Sequence, residues 1–317
     1  MIEVEVISKT LDAEDIFRFE LARPDGAALP AFGAGAHIDV HLPNGLVRQY
    51  SLCNHPEESH RYEIGVLKDP SSRGGSAAMH EQVQAGDRLQ ISEPRNHFPL
   101  AHEAARSLLF AGGIGVTPIL CMAERLAHSG GEFEMHYCTR TESRTAFRQR
   151  IADSDFAKRV QFHFDDGDPT QILDAASLLA RPETGTHLYV CGPKGFMDHV
   201  LDTAKRLGWP ADQVHREYFA AAPINHDADA AFEIQLGSSG QILEVPADKS
   251  ALQVLLEQDI DIPYSCEDGV CGTCLTRVLE GEPDHRDLFM EPAEHAANDQ
   301  FTPCCSRSKS KRLVLDI

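Results

Sequence analysis

From about residue 104 the chain alternates short apolar runs of strand length with helix-length stretches, and no other feature restricts its fold as strongly. The strand candidates are 108–111, 134–138, 160–164 and 187–191; helices fit 117–128, 145–152, 170–179 and 195–207. Such alternation implies a parallel sheet covered by helices on both faces. The residues before it follow another period. Runs 2–7 (IEVEVI), 37–42 (HIDVHL), 62–67 (YEIGVL) and 88–91 (RLQI) alternate apolar with polar positions, and turn signals such as Pro43-Asn44-Gly45 separate them. That pattern predicts a small antiparallel β-barrel. Beyond the small, polar tract 220–231 (AAAPINHDADAA), the strand period returns at 231–236, 241–245 and 313–317, with one short helix near 252–257. The expected organisation is therefore multidomain α+β and α/β: a barrel over 1–102, a parallel-sheet domain over 103–222, a linker over 223–231 and a third domain over 232–317. A chain of 317 residues has room for two or three domains of ordinary size. It contains no internal repeat or low-complexity tract.

Charge narrows the function classes. The formal net charge is -20, which argues against nucleic acid or anionic lipid as a partner, because both need cationic patches. From residue 225 to the end there are 18 Asp and Glu against 7 Lys and Arg, so this segment carries -11, more than half of the total. Solvation accounts for such an excess, as does a docking face for a basic partner protein. The most apolar stretch, 107–123, is 17 residues long and is broken by three glycines and Pro118, which suits a buried strand and helix better than a membrane span. The opening MIEVEVISKT lacks the basic and apolar regions of a secretory signal, and nine cysteines are too few for a disulfide framework of this length. Cytoplasmic location, reduced thiols and a monomer are the expectations.

Three of those cysteines fall in CEDGVCGTC, residues 266–274. Cys266, Cys271 and Cys274 are spaced C-x4-C-x2-C, and Cys304 follows after 29 residues. One loop supplying three thiolates, with a fourth from a distant segment, is the plant-type 2Fe-2S arrangement. Gly269 and Gly272 suit a loop that turns its amides toward sulfur. A zinc ribbon needs two CxxC pairs and only one is present. A thioredoxin-type CxxC would open a helix after a strand and would have no third cysteine five residues upstream. Cys305 competes with Cys304 for the fourth position, and similarity to ferredoxins carrying C-x-S-R there, in Cys304-Cys305-Ser306-Arg307, favours Cys304.

A one-electron carrier needs a source of electrons. Gly113-Ile114-Gly115-Val116-Thr117-Pro118 follows a strand candidate and opens a helix, where glycines admit a pyrophosphate and the helix N-terminus supplies donors. Cys191-Gly192-Pro193 ends a later strand on the same sheet edge, where ligands of parallel sheets bind. A nicotinamide delivers two electrons and a 2Fe-2S cluster accepts one, so a flavin has to stand between them. The barrel offers Arg48-Gln49-Tyr50-Ser51 and Ser72-Arg73-Gly74-Gly75-Ser76: an aromatic for the isoalloxazine, a hydroxyl for its N5 side, and a basic glycine-rich loop for phosphate.

R-x-Y-S, G-x-G-x-x-P and C-G-P in that order, followed by the cysteine set, make the chain similar to the ferredoxin-NADP reductase superfamily. With a C-terminal ferredoxin domain, it resembles the phthalate dioxygenase reductase family over nearly its whole length. The resemblance implies a flavin barrel, an NAD domain and a β-grasp ferredoxin domain that pass electrons from NADH through FMN to a 2Fe-2S cluster and on to a separate Rieske oxygenase. It implies FMN at Arg48, Tyr50, Ser51, Arg73, Gly74, Gly75 and Ser76, with Gly65 also a cofactor-binding candidate. NADH would lie at Gly113, Gly115, Thr117, Pro118, Arg140, Cys191, Gly192 and Pro193, and the iron at Cys266, Cys271, Cys274 and Cys304. Ser51, Cys191 and Phe219 are the expected catalytic positions, Phe219 because His215-Arg216-Glu217-Tyr218-Phe219 resembles the family's H-x-E-x-F. Arg140, Ser143 and Arg144 leave NADPH open as the donor, while Asp165-Asp166 lean toward NADH. A reductase for a non-Rieske monooxygenase or another electron acceptor, and a redox-sensing 2Fe-2S flavoprotein, are the alternative functions.

Overall fold

The computed structural model describes residues 1–70, 74–219 and 229–317. They form two compact units, Met1–Glu217 and Tyr218–Ile317. Arg73, Ser72 and most of the expected linker lie outside the described residues.

The first unit begins with strands β1 (Ile2–Ala13), β2 (Ile16–Ala22), β3 (His37–His41), β4 (Val47–Ser51) and β5 (Tyr62–Leu67), helix α1 (Gly75–Glu81) and strand β6 (Arg88–Ile91). They make one six-stranded antiparallel sheet in the order β4-β3-β6-β1-β2-β5, and a bridge from Leu52 to Ile64 brings its two edges together as a barrel. Val4, Val6, Phe19, Leu21, Ile38, Val40, Ile64 and Ile91 fill the interior. Each such side chain is worth about 1.5–3 kcal/mol when fully buried.

The same unit continues with β7 (Arg106–Gly112), α2 (Val116–Ser129), β8 (Glu132–Thr139), α3 (Arg148–Ala152), β9 (Val160–Phe164), α4 (Ala175–Leu178), β10 (Thr186–Cys191), α5 (Lys194–Arg206) and β11 (Val214–Glu217). All five strands are parallel, in the order β11-β10-β7-β8-β9. Strand order reverses between β7 and β10, so the crevice at their carboxyl ends is where a parallel sheet offers a ligand site. The helix expected over 170–179 is instead a 3-10 turn at Pro169–Gln171 and the one-turn α4. Asp168 and Asp174 each cap a separate turn, and Ile172 between them is extended. Barrel and parallel sheet are joined by ions: Glu63 of β5, 1% exposed, pairs with Arg61 and with Arg150 of α3.

The second unit holds β12 (Phe232–Leu236), β13 (Ile242–Val245), α6 (Ala251–Glu257), β14 (Thr276–Glu280), β15 (Pro283–Asp284), α7 (Pro292–Ala297), β16 (Gln300–Phe301), β17 (Arg307–Ser308) and β18 (Arg312–Leu315). A mixed sheet in the order β13-β12-β18-β14-β16 packs against α6 through Ile234, Leu252, Leu255, Phe301 and Leu313, a β-grasp. Ser250 and Gln253 cap α6 reciprocally, at 3.1 and 2.9 Å. Asp229, at the described end of the expected linker, is fixed within this unit by Arg286 at 2.7 Å, and Arg307 donates to Ala230 O at 2.9 Å.

No helix among the described residues is long and apolar enough to cross a membrane.

Candidate functional site

The loop 266–274 is shaped by three left-handed residues, Glu267 (φ 57°), Gly269 (φ 71°) and Gly272 (φ 68°). The two glycines are also sites of close approach. A Cβ on Gly269 would stand 2.4 Å from Cys305 Sγ, and one on Gly272 would stand 2.3 Å from the ring of Phe289. So folded, the loop buries Cys266, Cys271 and Cys274 together with Cys304. The Cys266 thiol shares hydrogen bonds with those of Cys271 and Cys304, and the Cys304 thiol reaches Cys274 and Cys305 as well. Sharing with Cys271 and Cys304 makes Cys266 the acidic member, while the same contacts with Cys266 push Cys271 and Cys304 upward. Backbone amides point at sulfur: Asp268 N is 3.3 Å from Cys266 Sγ and Thr273 N is 3.5 Å from Cys271 Sγ.

Cys305 stands apart from the four by its partners. Its thiol meets Thr302 Oγ1 at 3.3 Å and lies against Gly269, whereas Cys304 makes the links to Cys266 and Cys274. All nine cysteines are free. Four converging buried thiols with amide donors fit iron and sulfide, since a thiolate shell gains from donors aimed at sulfur.

In the first unit, Gly112 to Gly115 and Cys191 to Pro193 sit side by side at the switch point. A Cβ on Gly115 would fall 2.3 Å from Cys191 O, and one on Gly192 would fall 2.8 Å from Gly112 Cα. Gly113 has φ 53°. Thr117 Oγ1 donates to Ile114 O at 3.0 Å, and Pro118 lies in the first turn of α2. Residues Cys191 and Glu217 end neighbouring strands in register. Ser51, buried at the end of β4, donates to Glu217 Oε2 at 3.5 Å, the long limit of a hydrogen bond. Glu217 retains some residue surface, but its carboxyl is enclosed, and burial pushes its pKa up to about 8 against the opposing Ser51 hydroxyl. Burial, then the Glu217 charge, raises the Cys191 thiol. Ser51, Cys191 and Glu217 thus form an enclosed polar group in which charge is suppressed near neutral pH.

Glu217 was singled out in sequence only as part of a family-like string. Its pairing beside Cys191 is what marks it.

The remaining sequence candidates divide by position. Arg48 lies across Gly75, where a Cβ would meet its Cγ at 2.6 Å, and Gly74 has φ 88°. Gly75 and Ser76 open α1 rather than lying in an open loop, and Ser76 Oγ accepts from Asp69 N at 3.1 Å. Tyr50 stands on β4 opposite Ile38, its hydroxyl raised in pKa by burial. Gly65 is in a different place: a Cβ there would press on Thr117 Cγ2 at 3.0 Å and Phe147 at 3.1 Å, so it serves the contact between barrel and parallel sheet. Arg140 is exposed just past β8, Arg144 is tied to Glu14 and Asp15 at 2.6 and 3.0 Å, and Ser143 bonds Glu14 at 3.1 Å. Phe219 is exposed and belongs to the second unit. His215 stacks on Tyr189, with centroids 4.6 Å apart.

Comparison with known proteins agrees with this geometry. A family model described as a 2Fe-2S iron-sulfur cluster binding domain matches residues 234–309, and one described as the N-terminal domain of dimethylamine monooxygenase subunit DmmA-like proteins matches 92–214. The vanillate O-demethylase oxidoreductase of a Pseudomonas species is 59% identical over the full length of both chains. Phthalate dioxygenase reductase of Burkholderia cepacia is 41% identical, and its solved structure, described as modular for electron transfer from pyridine nucleotides to 2Fe-2S, superposes with a TM-score of 0.79 over 100% of this chain and 98% of that one. An intact type IV self-sufficient cytochrome P450 monooxygenase is 37% identical with a TM-score of 0.86, this chain covering 41% of its length. With identity at this level along its whole length, the chain is an electron-transfer oxidoreductase that belongs to the phthalate dioxygenase reductase family.

Proposed function

We propose that the chain is the NADH-dependent reductase component of a Rieske-type oxygenase acting on aromatic compounds, cytoplasmic and monomeric, with vanillate-type demethylation the chemistry of the 59% identical relative. The observation that carries the reading is the convergence of Cys266, Cys271, Cys274 and Cys304 in one unit, joined in the same chain to a dinucleotide-type switch point in the other.

Cys266, Cys271, Cys274 and Cys304 hold the 2Fe-2S cluster. Arg48, Tyr50, Ser51, Arg73, Gly74, Gly75 and Ser76 hold FMN, and Gly113, Gly115, Thr117, Pro118, Cys191, Gly192 and Pro193 hold NADH. A flavin bound there would supply the conversion between hydride transfer and single-electron transfer. Gly115 and Gly192 let the two strand ends close up, so that a dinucleotide meets backbone. Ser51 and Cys191 position donor and acceptor rings in a pocket that excludes water, and Glu217 keeps a proton on its carboxyl beside Ser51 Oγ at neutral pH. Arg144 is occupied by Glu14 and Asp15, which leaves Arg140 alone for a 2'-phosphate and supports NADH over NADPH.

The test is anaerobic purification followed by absorption and electron paramagnetic resonance (EPR) spectra, with steady-state NADH oxidation using cytochrome c and then a vanillate demethylase oxygenase as acceptors. Flavin and cluster signals, a kcat/KM higher for NADH than for NADPH, and coupled demethylation are expected. Colourless protein, or zinc in place of iron, would overturn the reading. The likeness to a self-sufficient P450 favours one second reading, a haem monooxygenase as acceptor, which efficient reduction of a P450 and failure with every Rieske protein would establish.

A further inference from the structure

His285, Asp287 and His295 bring ligand-type atoms within 4.8 Å of one another in the second unit, outside the cysteine set. Their bonding capacity is largely used. Asp287 Oδ2 accepts from Met290 N at 2.8 Å, and His295 Nε2 lies 3.2 and 3.3 Å from the two carboxylate oxygens. His285 Nε2 meets Asn298 Oδ1 at 3.1 Å, its ring stacked on that of His295 with centroids 4.5 Å apart. His285 Nδ1 is left without a partner among the described residues, and of the three residues Asp287 alone is buried, held by hydrogen bonds.

The position of Asp287 gives its charge a use. The Asp287 side chain is 0% exposed, and among the described residues its one ion-pair partner is His295. The neighbouring Arg286 turns its guanidinium to Asp229 and Asp284 instead. The Asp287 backbone is pressed on the cysteine loop: a Cβ on Gly269 would stand 3.0 Å from Asp287 Cα, beside the Sγ of Cys305. The residues on either side hold it there, Leu288 N donating to Gly269 O at 2.9 Å and Arg286 N to Ser306 Oγ at 3.1 Å. The Asp287 Cβ stands equally close, 3.1 Å from the same Gly269 position, so the carboxylate branches directly from the wall of the thiol pocket.

We propose that Asp287, with His295 as its counter-group, is a positioning residue that sets the reduction potential of the cluster low. The inference rests on the reading that Cys266, Cys271, Cys274 and Cys304 hold a 2Fe-2S cluster. Reduction adds one electron to a centre whose ligands are already anionic, and a carboxylate denied solvent screening makes that addition less favourable. A lower potential in turn strengthens the cluster as a donor to the next acceptor.

The test is a dye-mediated potentiometric titration of the full-length, cluster-loaded protein, followed by the EPR signal of the reduced cluster. Asp287→Asn keeps an acceptor for Met290 N and removes the charge, so its midpoint shifts upward. Asp316→Asn, an exposed acid paired with Arg277, leaves the midpoint where it is. A second pair guards against loss of the cluster in Asp287→Asn. His295→Lys places a fixed cation beside the carboxylate and is expected to have a higher midpoint than His295→Gln at the same partly exposed position. A loaded Asp287→Asn with the wild-type midpoint, or His295→Lys and His295→Gln with equal midpoints, would overturn the proposal. Wild-type protein without iron or a cluster signal overturns the cluster reading itself, a separate result.

Discussion

The cysteine loop and the Ser51, Cys191 and Glu217 group handle charge in opposite ways. In the loop, amides of Asp268 and Thr273 face sulfur and so favour its ionised form. In the other group, burial holds the Glu217 carboxyl and the Cys191 thiol toward their neutral forms. They are also assembled differently. Three of the four cysteines lie within nine residues, so the loop carries most of its geometry in its own covalent chain. Ser51, Cys191 and Glu217 are 140 and 26 residues apart and meet only because a barrel strand ends near two parallel strands in register. A local loop is therefore vulnerable at its ligands, and a topological site is vulnerable wherever backbones touch.

Two substitutions break the comparison cleanly. The largest effect is expected from Cys274→Ala, which takes one thiol from the converging four: iron content and the reduced-cluster EPR signal are lost, and cytochrome c reduction with them. NADH-dependent reduction of ferricyanide, which needs only the first unit, persists. Equal loss of both activities in that variant would show that the two regions do not work separately. Gly115→Ala is the converse. Its Cβ would meet Cys191 O at 2.3 Å and Gly192 N at 2.6 Å, and neither backbone can give way without moving the switch point. A displacement near 1 Å costs on the order of 100-fold in reactions that depend on alignment. The expected result is a fall of that size in kcat/KM for NADH with ferricyanide, and an unchanged cluster signal.

The same contrast decides what the sequence discloses. Strands 62–67, 88–91 and 160–164 are found at their expected bounds, and in 88–91 burial alternates as the apolar period does. β2 escaped notice because it enters the sheet beside an irregular register step, so Ile16 and Phe19 are buried three apart rather than in alternation. The helix read over 170–179 failed against two aspartates that cap separate turns. The gathering of Cys266, Cys271 and Cys274 in one loop is legible, since C-x4-C-x2-C is a local spacing. Even the choice between Cys304 and Cys305, which spacing leaves open, turns on which thiol reaches Cys266 and Cys274. Glu217 was not legible as part of a site, because nothing within its own segment distinguishes it from any acid ending a strand. Gly65 reads as a cofactor contact in sequence, and the close approach of Thr117 and Phe147 to it is a packing relation that its own segment does not announce.

The smallest effect sharpens the comparison instead of breaking it, and it follows from the proton on Glu217. The carboxyl has a folded-state pKa raised to about 8, from the 4.5 of a free side chain in the unfolded chain. Below about pH 4.5 it is protonated in both states, and its contribution to stability is fully present. Between there and pH 8 the unfolded chain ionises while the folded chain keeps its proton, so the folded state binds more protons and stability falls as pH rises, levelling off above pH 8. A shift of this size, discounted for solvent that reaches part of the residue, corresponds to on the order of 2 kcal/mol. Glu217→Gln lacks this titration. Urea unfolding of both proteins at pH 5.5 and pH 8.5 is therefore expected to show the variant gaining on the wild type at the higher pH by about that amount. Parallel pH dependences would mean that the carboxyl is ionised in the folded protein at neutral pH. The first unit would then hold a charge beside Ser51 and Cys191, and its contrast with the cysteine loop would rest on assembly alone.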